Sequence, residues 1–130
     1  HRIISGENPL KVWGDGSQIR DFIFANDVAE GMLKVVELGI NNPVNLGSGK
    51  KISIKEIVDI LVSIKSDLKV EWDISKPSGD KIRLMDTSYA ESLGISSKTL
   101  IADAIKETYD WYNLNYKKDL GKYNSFEEIN

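Results

Sequence analysis

Residues 12–22 read VWGDGSQIRDF, and the way this stretch folds decides what surrounds it. Val12 and Trp13 are bulky and apolar, as at the end of an extended strand. Gly14-Asp15-Gly16-Ser17 is turn chemistry: glycine enters positive φ without steric cost, and short polar side chains bond the neighbouring backbone. Gln18 to Phe24 then resumes a loose alternation. The expectation is a β-hairpin over residues 10–24 with a long polar tip. That tip carries an aromatic plate, Trp13, and a planar cation, Arg20.

Outward from this stretch, Asn26-Asp27 offers side-chain oxygens that can cap a helix. Val28, Ala29, Met32, Val35 and Val36 recur at helical spacing, and Gly39 is the expected stop. Asn42-Pro43 turns the chain into VNLGSG, read as a short strand ending in a glycine turn. Ser53 with Glu56 three positions on is a capping box, followed by Ile54, Ile57, Val58, Leu61 and Ile64 on one face. Leu68 to Trp72 alternates as a strand, and Pro77-Ser78-Gly79 forces a loop. Arg83 to Met85 is expected to extend briefly. Asp86-Thr87-Ser88 can cap a short helix ending at Leu93-Gly94, and Ser97 or Thr99 the last helix. Ile101, Ile105, Thr108, Tyr109 and Tyr112 share a face there. Residues 117–130 lose periodicity and read as a loosely docked tail. At the other end, His1 to Ser5 resembles a helix entered midway.

The predicted fold class is α/β (α+β): a small mixed sheet with three to four helices, without the regular rhythm of a full doubly wound sheet. The 130 residues, with 41% hydrophobic and 28% charged, suit one globular domain. A net charge of −3 gives no footprint for nucleic acid or an anionic membrane. The longest apolar run is too short to span a bilayer. The absence of cysteine excludes disulfides and thiolate metal sites and fits a reducing cytoplasm, the expected location.

Catalytic motifs fail one by one. GSGKK at 47–51 is not a phosphate loop, because Val44 stands where its first glycine is required and no Ser or Thr follows Lys50. No G-x-G-x-x-G occurs, so no dinucleotide site can be placed. The single histidine is His1, a poor base for a serine nucleophile, and the carboxylates lack metal-ligand spacing. None of the tyrosines has a lysine four residues on. What remains is binding chemistry: Trp13 as a stacking face, Arg20 and Arg83 as planar forks for phosphate oxygens. Against this stand blander roles: Trp13 as a packing residue, and Arg20 paired with its neighbour Asp21.

In order, VWGDGSQIRDFIFANDVAEGML, NPVNLGSGKKISIKEIVDIL, KPSGDKIRLMDTSYAESLGI and LIADAIKETYDWYNLNY resemble the C-terminal half of the NAD(P)-dependent nucleotide-sugar epimerase/dehydratase family, the extended short-chain dehydrogenase/reductases. The likeness runs from about residue 2 to 116. Trp13 in VWGDG and the K-P-x-G-x-x-x-[KR]-L-x-D pattern from Lys76 to Asp86 are most similar to the GDP-L-fucose synthases. Those carry Asp where this chain has Ser78 and a basic residue where it has Ile82, which leaves UDP- and dTDP-sugar relatives open.

The resemblance implies that residues 1–116 are a nucleotide-sugar-binding domain belonging to a Rossmann-like fold, with Trp13, Arg20, Ser78 and Arg83 as substrate-binding residues and no catalytic residue. Trp13 would lie by the base, Arg20 by the diphosphate or sugar, and Arg83 in the basic position before L-x-D. It implies that an N-terminal half outside residues 1–130 supplies the NAD or NADP site and the Tyr-x-x-x-Lys pair. This chain alone would then bind no cofactor and turn nothing over. The parent would epimerise and reduce a 4-keto sugar nucleotide, and a homodimer is possible. It further implies that PVNLGSG is a late strand with Asp27 to Leu38 packed beside it. The rival expectation is a free-standing interaction module with a degenerate pocket.

Overall fold

A computed structural model describes residues 1–116; the tail expected at 117–130 lies outside the described residues. Five short strands and four helices follow in the order β1 Leu10–Trp13, β2 Ile19–Arg20, α1 Ala25–Glu37, β3 Ile52–Ser53, α2 Ile54–Ile64, β4 Val70–Asp73, β5 Ile82–Arg83, α3 Ser88–Ser92 and α4 Ile101–Asn115. They form two small sheets. β1 pairs with β4 in parallel, Leu10 opposite Val70 and Trp13 opposite Asp73. β2 is the middle of a mixed sheet, antiparallel to β3 and parallel to β5. The mixed α/β class agrees with the expectation.

The hairpin does not form. β1 and β2 belong to different sheets, and the turn between them is a crossing. Inside it the Asp15 carboxylate accepts from the Ser17 N–H (2.9 Å) and hydroxyl (2.7 Å), a local turn that uses up the tip's polar groups. The carbonyls of Gly16 and Gln18 then accept from Lys55 and Ile54, at the start of α2. Those bonds draw the chain away from β1. Gly16 sits at φ +77°, and a Cβ there would stand 2.5 Å from the Trp72 ring. Only a bare α-carbon passes so close to that indole.

α2 begins as its sequence dictates. Ser53 accepts from the Glu56 N–H (3.1 Å), and the Glu56 carboxylate accepts from the Ser53 N–H (2.8 Å). Its apolar face packs on α4. Val58 and Ala104 are buried there, and Leu10, Leu68, Ala90 and Ile95 complete the buried apolar set. Ile101, Ile105, Tyr109 and Tyr112 line a groove of about 480 Å³ with Phe22, Phe24 and Leu61. Thr108 lines the same groove, as expected, its hydroxyl donating to the Ala104 carbonyl (2.7 Å).

Three capping expectations are corrected together. α1 begins after Phe24, and Asp27 lies inside its first turn. α4 begins after Leu100 without a side-chain cap. The Asp27 carboxylate accepts from the Ser97 hydroxyl (2.7 Å), the Thr99 hydroxyl (2.9 Å) and the N–H groups of Lys98 (3.2 Å) and Thr99 (3.0 Å). Four long-range donors outcompete the local backbone, and the would-be caps of both helices join each other. Val28, Gly31 and Val35 face inward, whereas Met32 and Val36 are exposed. The helix does stop at Gly39, in the left-handed region.

VNLGSG, expected as a late strand, forms none and joins neither sheet among the described residues. Its polar groups go elsewhere. The Ser48 N–H and hydroxyl donate to Asp21 Oδ1 (2.7 and 2.5 Å), and the Gly49 N–H to Oδ2 (3.2 Å). The Asp21 carboxylate thus fills the glycine turn and is not the partner of Arg20. Leu46 packs on Gly31, so this segment does lie beside α1 as expected. β5 spans Ile82–Arg83 alone, shorter than the predicted extension to Met85.

Burial raises the Asp27 pKa, but the bonds from Ser97, Thr99 and Lys98 outweigh it and hold the carboxyl below its usual range. The unfolded chain therefore takes up this proton at higher pH than the folded one, and stability falls as pH drops below about 4 through the folded value. Asp27→Asn should cost about 2–3 kcal/mol at pH 7, and the gap to wild type should narrow in urea titrations run toward pH 2. Gly16→Ala, facing both the φ penalty and the indole, should cost about 2–4 kcal/mol in the same titrations.

Candidate functional site

The four predicted residues fall on one strip of surface, built by two chain segments running side by side. β1, the turn and β2 form one pass; β4, its following loop and β5 form the other, parallel at both ends. Trp13 and Arg20 are seven positions apart, whereas their register partners Asp73 and Arg83 are ten apart. The extra length is taken up by the loop at 74–81, which carries Lys76-Pro77-Ser78-Gly79-Asp80.

Trp13 is 62% exposed. Alternation along β1 sends Leu10 and Val12 toward the interior and Lys11 and Trp13 away from it, so the indole is not a packing residue. Lys76 Nζ lies 6.0 Å from its ring centroid, at the outer limit of a cation–π contact. Next to it, Ser78 leans on Gly14: a Cβ on that glycine would lie 3.0 Å from Ser78 Cβ. Asp73 below Trp13 is held under the usual carboxylate range by the Ser75 hydroxyl first, then the Ser75 N–H and the Lys76 and Lys11 cations, against a burial effect that raises it.

Arg20 and Arg83 are direct register partners across β2 and β5 and rise on the same side. Arg20 is half-buried, its Nη1 donating to the carbonyls of Ile19 (2.7 Å) and Asp80 (2.9 Å). Gly79 passes 3.8 Å from its Nη2, measured from an ideal Cβ position. Arg83 is exposed and donates from Nη2 to Asp80 Oδ2 (3.1 Å). An aromatic face therefore stands at one end of the strip and two guanidinium groups at the other, with Ser78 and Gly79 between them. Such an arrangement suits a ligand with a flat ring system and an anionic group.

Sequence reasoning missed two members. Lys76 was quoted as part of a motif without a role, yet the loop folds it back over Trp13. Asp80 anchors both arginines, one through its carbonyl and the other through its carboxylate. The signal was present: the run Gly79-Asp80-Lys81-Ile82-Arg83 places an acid three residues before the arginine it binds.

The glycine turn at 47–49 offers no dinucleotide cradle. The backbone donors of Ser48 and Gly49 are occupied by Asp21, and a Cβ on Gly47 would lie 2.6 Å from that carboxylate. The described residues do not fit a pyrophosphate there. Among the described residues no cluster of His, Asp or Glu could hold a metal, and no helix is long and apolar enough to cross a membrane.

Comparison with known proteins shows what the whole chain is similar to. Residues 1–47, which include Trp13 and Arg20, match the NAD dependent epimerase/dehydratase family. GDP-L-fucose synthase 1 of Arabidopsis thaliana is 34% identical over 115 residues, covering 86% of this chain and 35% of that protein. GDP-mannose 3,5-epimerase 1 of Oryza sativa subsp. japonica is 31% identical over 111 residues, 85% of this chain and 29% of that one. The UDP-glucuronic acid 4-epimerase of Bacillus cereus, solved with UDP-glucuronic acid and NAD, superposes with a TM-score of 0.75 at 27% identity. That match covers 88% of this chain and 38% of the epimerase. This chain thus spans about a third of the length of the curated relatives it matches. Motif order, mixed α/β architecture and these likenesses agree: the chain matches the NAD dependent epimerase/dehydratase family over residues 1–47 and is similar to these nucleotide-sugar enzymes over most of its own length.

Proposed function

We propose that residues 1–116 form the nucleotide-sugar-binding part of an epimerase/reductase acting on a GDP-sugar, similar to the GDP-L-fucose synthases. One observation carries this reading: Trp13, Arg20, Ser78 and Arg83, far apart in sequence, share one strip with the ring at one end and the cations at the other. Trp13 stacks on the base, Arg20 and Arg83 hold the diphosphate, and Ser78 lines the space between. The likeness to the plant GDP-sugar enzymes favours guanine over uracil. The 4-keto sugar chemistry, its acid/base pair and the NAD or NADP site belong to a cofactor-binding part of the whole protein, outside residues 1–130.

A nucleoside diphosphate brings two or more negative charges to a protein that is itself acidic, so selectivity has to be local. Arg20 is oriented in advance by two carbonyls and can turn its remaining N–H groups to a phosphate without losing them. Arg83 must exchange Asp80 for the ligand. That exchange is cheap, because an exposed pair contributes only about 0–1 kcal/mol.

Calorimetry of this chain with GDP, UDP and dTDP tests the reading. GDP is expected to bind most tightly, and Trp13→Ala to weaken it by about 1–3 kcal/mol. Arg20→Ala should cost about 1.5–3 kcal/mol and flatten the salt dependence of binding. No heat with any of the three at millimolar concentration, or an unchanged Trp13→Ala, removes the assignment.

A further inference from the structure

Gln18 lies at the foot of the strip and is only 4% exposed. Neither its Nε2 nor its Oε1 has a hydrogen-bond partner among the described residues, although both are buried. Leaving a buried amide unpaired costs folding free energy, and an apolar residue of the same shape would avoid that cost. The location is specific. Gln18 immediately precedes β2, two residues before Arg20. Gln18 Nε2 lies 2.7 Å from where a Cβ on Gly14 would stand, and Ser78 Cβ lies 3.0 Å from the same point. Ser78 therefore leans over the amide from the exposed loop at 74–81. The unpaired amide and Ser78 thus meet at Gly14, in the middle of the ligand strip.

We infer that Gln18 is a positioning residue for the nucleotide: its amide bonds the Ser78–Gly79 turn when a ligand is held between Trp13 and the arginines, and so fixes the loop at 74–81 on that ligand. Without ligand the loop is held mainly by Arg20 and by Lys76, whose N–H donates to the Asp73 carbonyl (3.3 Å). With ligand, Arg83 exchanges the Asp80 carboxylate for phosphate while Arg20 keeps the Asp80 carbonyl, and Ser78 settles by a small movement onto the amide beneath it. The bound state gains hydrogen bonds that the free state lacks. This inference rests on the nucleotide reading above.

The test replaces the amide with its apolar near-isostere in the full 130-residue chain, Gln18→Met, with Gln18→Leu as a second variant. Two quantities are read: the thermal midpoint without ligand and the GDP affinity by calorimetry. The midpoint is expected to rise by about 3–8 °C, as an unpaired buried amide is removed, while GDP binds between about twofold and tenfold more weakly. A merely structural glutamine would not move the two in opposite directions. A lower midpoint in both variants shows that the amide has a partner in the free protein and overturns the inference; so does an unchanged GDP affinity. If wild type binds GDP and the variants bind it equally well, only the role of Gln18 falls. If wild type binds no nucleoside diphosphate, both readings fall.

Discussion

The structure depends on one geometric constraint: two segments distant in sequence cross from one small sheet to the other side by side and in the same direction. β1 runs beside β4 before the crossing, and β2 runs beside β5 after it. Because both ends are in register, any difference in length between the two passes must leave the surface as a loop. The second pass is the longer, and its excess falls on Lys76-Pro77-Ser78-Gly79, where proline and glycine make a turn inexpensive. The site is therefore a consequence of the pairing. Tryptophan at the end of β1 and arginine in β2 are held apart by the shorter pass, and the longer one folds over the gap between them.

The crossing is held in place by carboxylates turned inward to backbone donors. Asp21 follows β2 directly and occupies the glycine turn at 47–49; Asp27, a few residues on, ties α1 to the segment preceding α4. Each gathers three or four donors from a segment distant in sequence. A carboxylate so surrounded makes charge-assisted bonds, worth more than a neutral pair. It also explains why a glycine-rich turn flanked by lysines does not act as an anion site: its donors already face an anion supplied by the same chain.

Much of this was legible and the rest has physical reasons for being hidden. The α2 capping box is a four-residue pattern whose partners are all local, so sequence alone resolves it. The strand at Val70–Asp73 and the stops at Gly39 and Gly94 rest on equally local rules. The predicted hairpin failed because turn chemistry specifies a change of direction, and long-range pairing decides which strand lies beside each arm. Asp27 was read as a cap for the same reason, since nothing in FANDVAE shows that donors seventy positions away are available. The stretch VNLGSG alternates like a strand, yet its polar groups are drawn to Asp21 and its backbone finds no neighbour. Trp13, Arg20, Ser78 and Arg83 came from motif order, which retains a trace of three-dimensional arrangement that spacing alone does not. Lys76, Asp80 and the buried amide of Gln18 follow only from the loop lying across the crossing.

The two arginines, adjacent in register, differ in kind. Two guanidinium groups side by side repel each other, and at exposed positions water and salt screen most of that cost. The remaining repulsion is divided unequally. Arg20 is half-buried and tied by one nitrogen to two carbonyls, which fixes its plane and removes most of the entropy a phosphate contact would otherwise cost. Arg83 is exposed and balanced by Asp80, a counter-ion on the same loop. On the proposed function, a diphosphate would replace Asp80 as the partner of Arg83 and leave the scaffold of Arg20 intact. A fixed cation would then select the orientation of the anion while an exchangeable one answers its presence, and the residue they share, Asp80, belongs to the loop at 74–81.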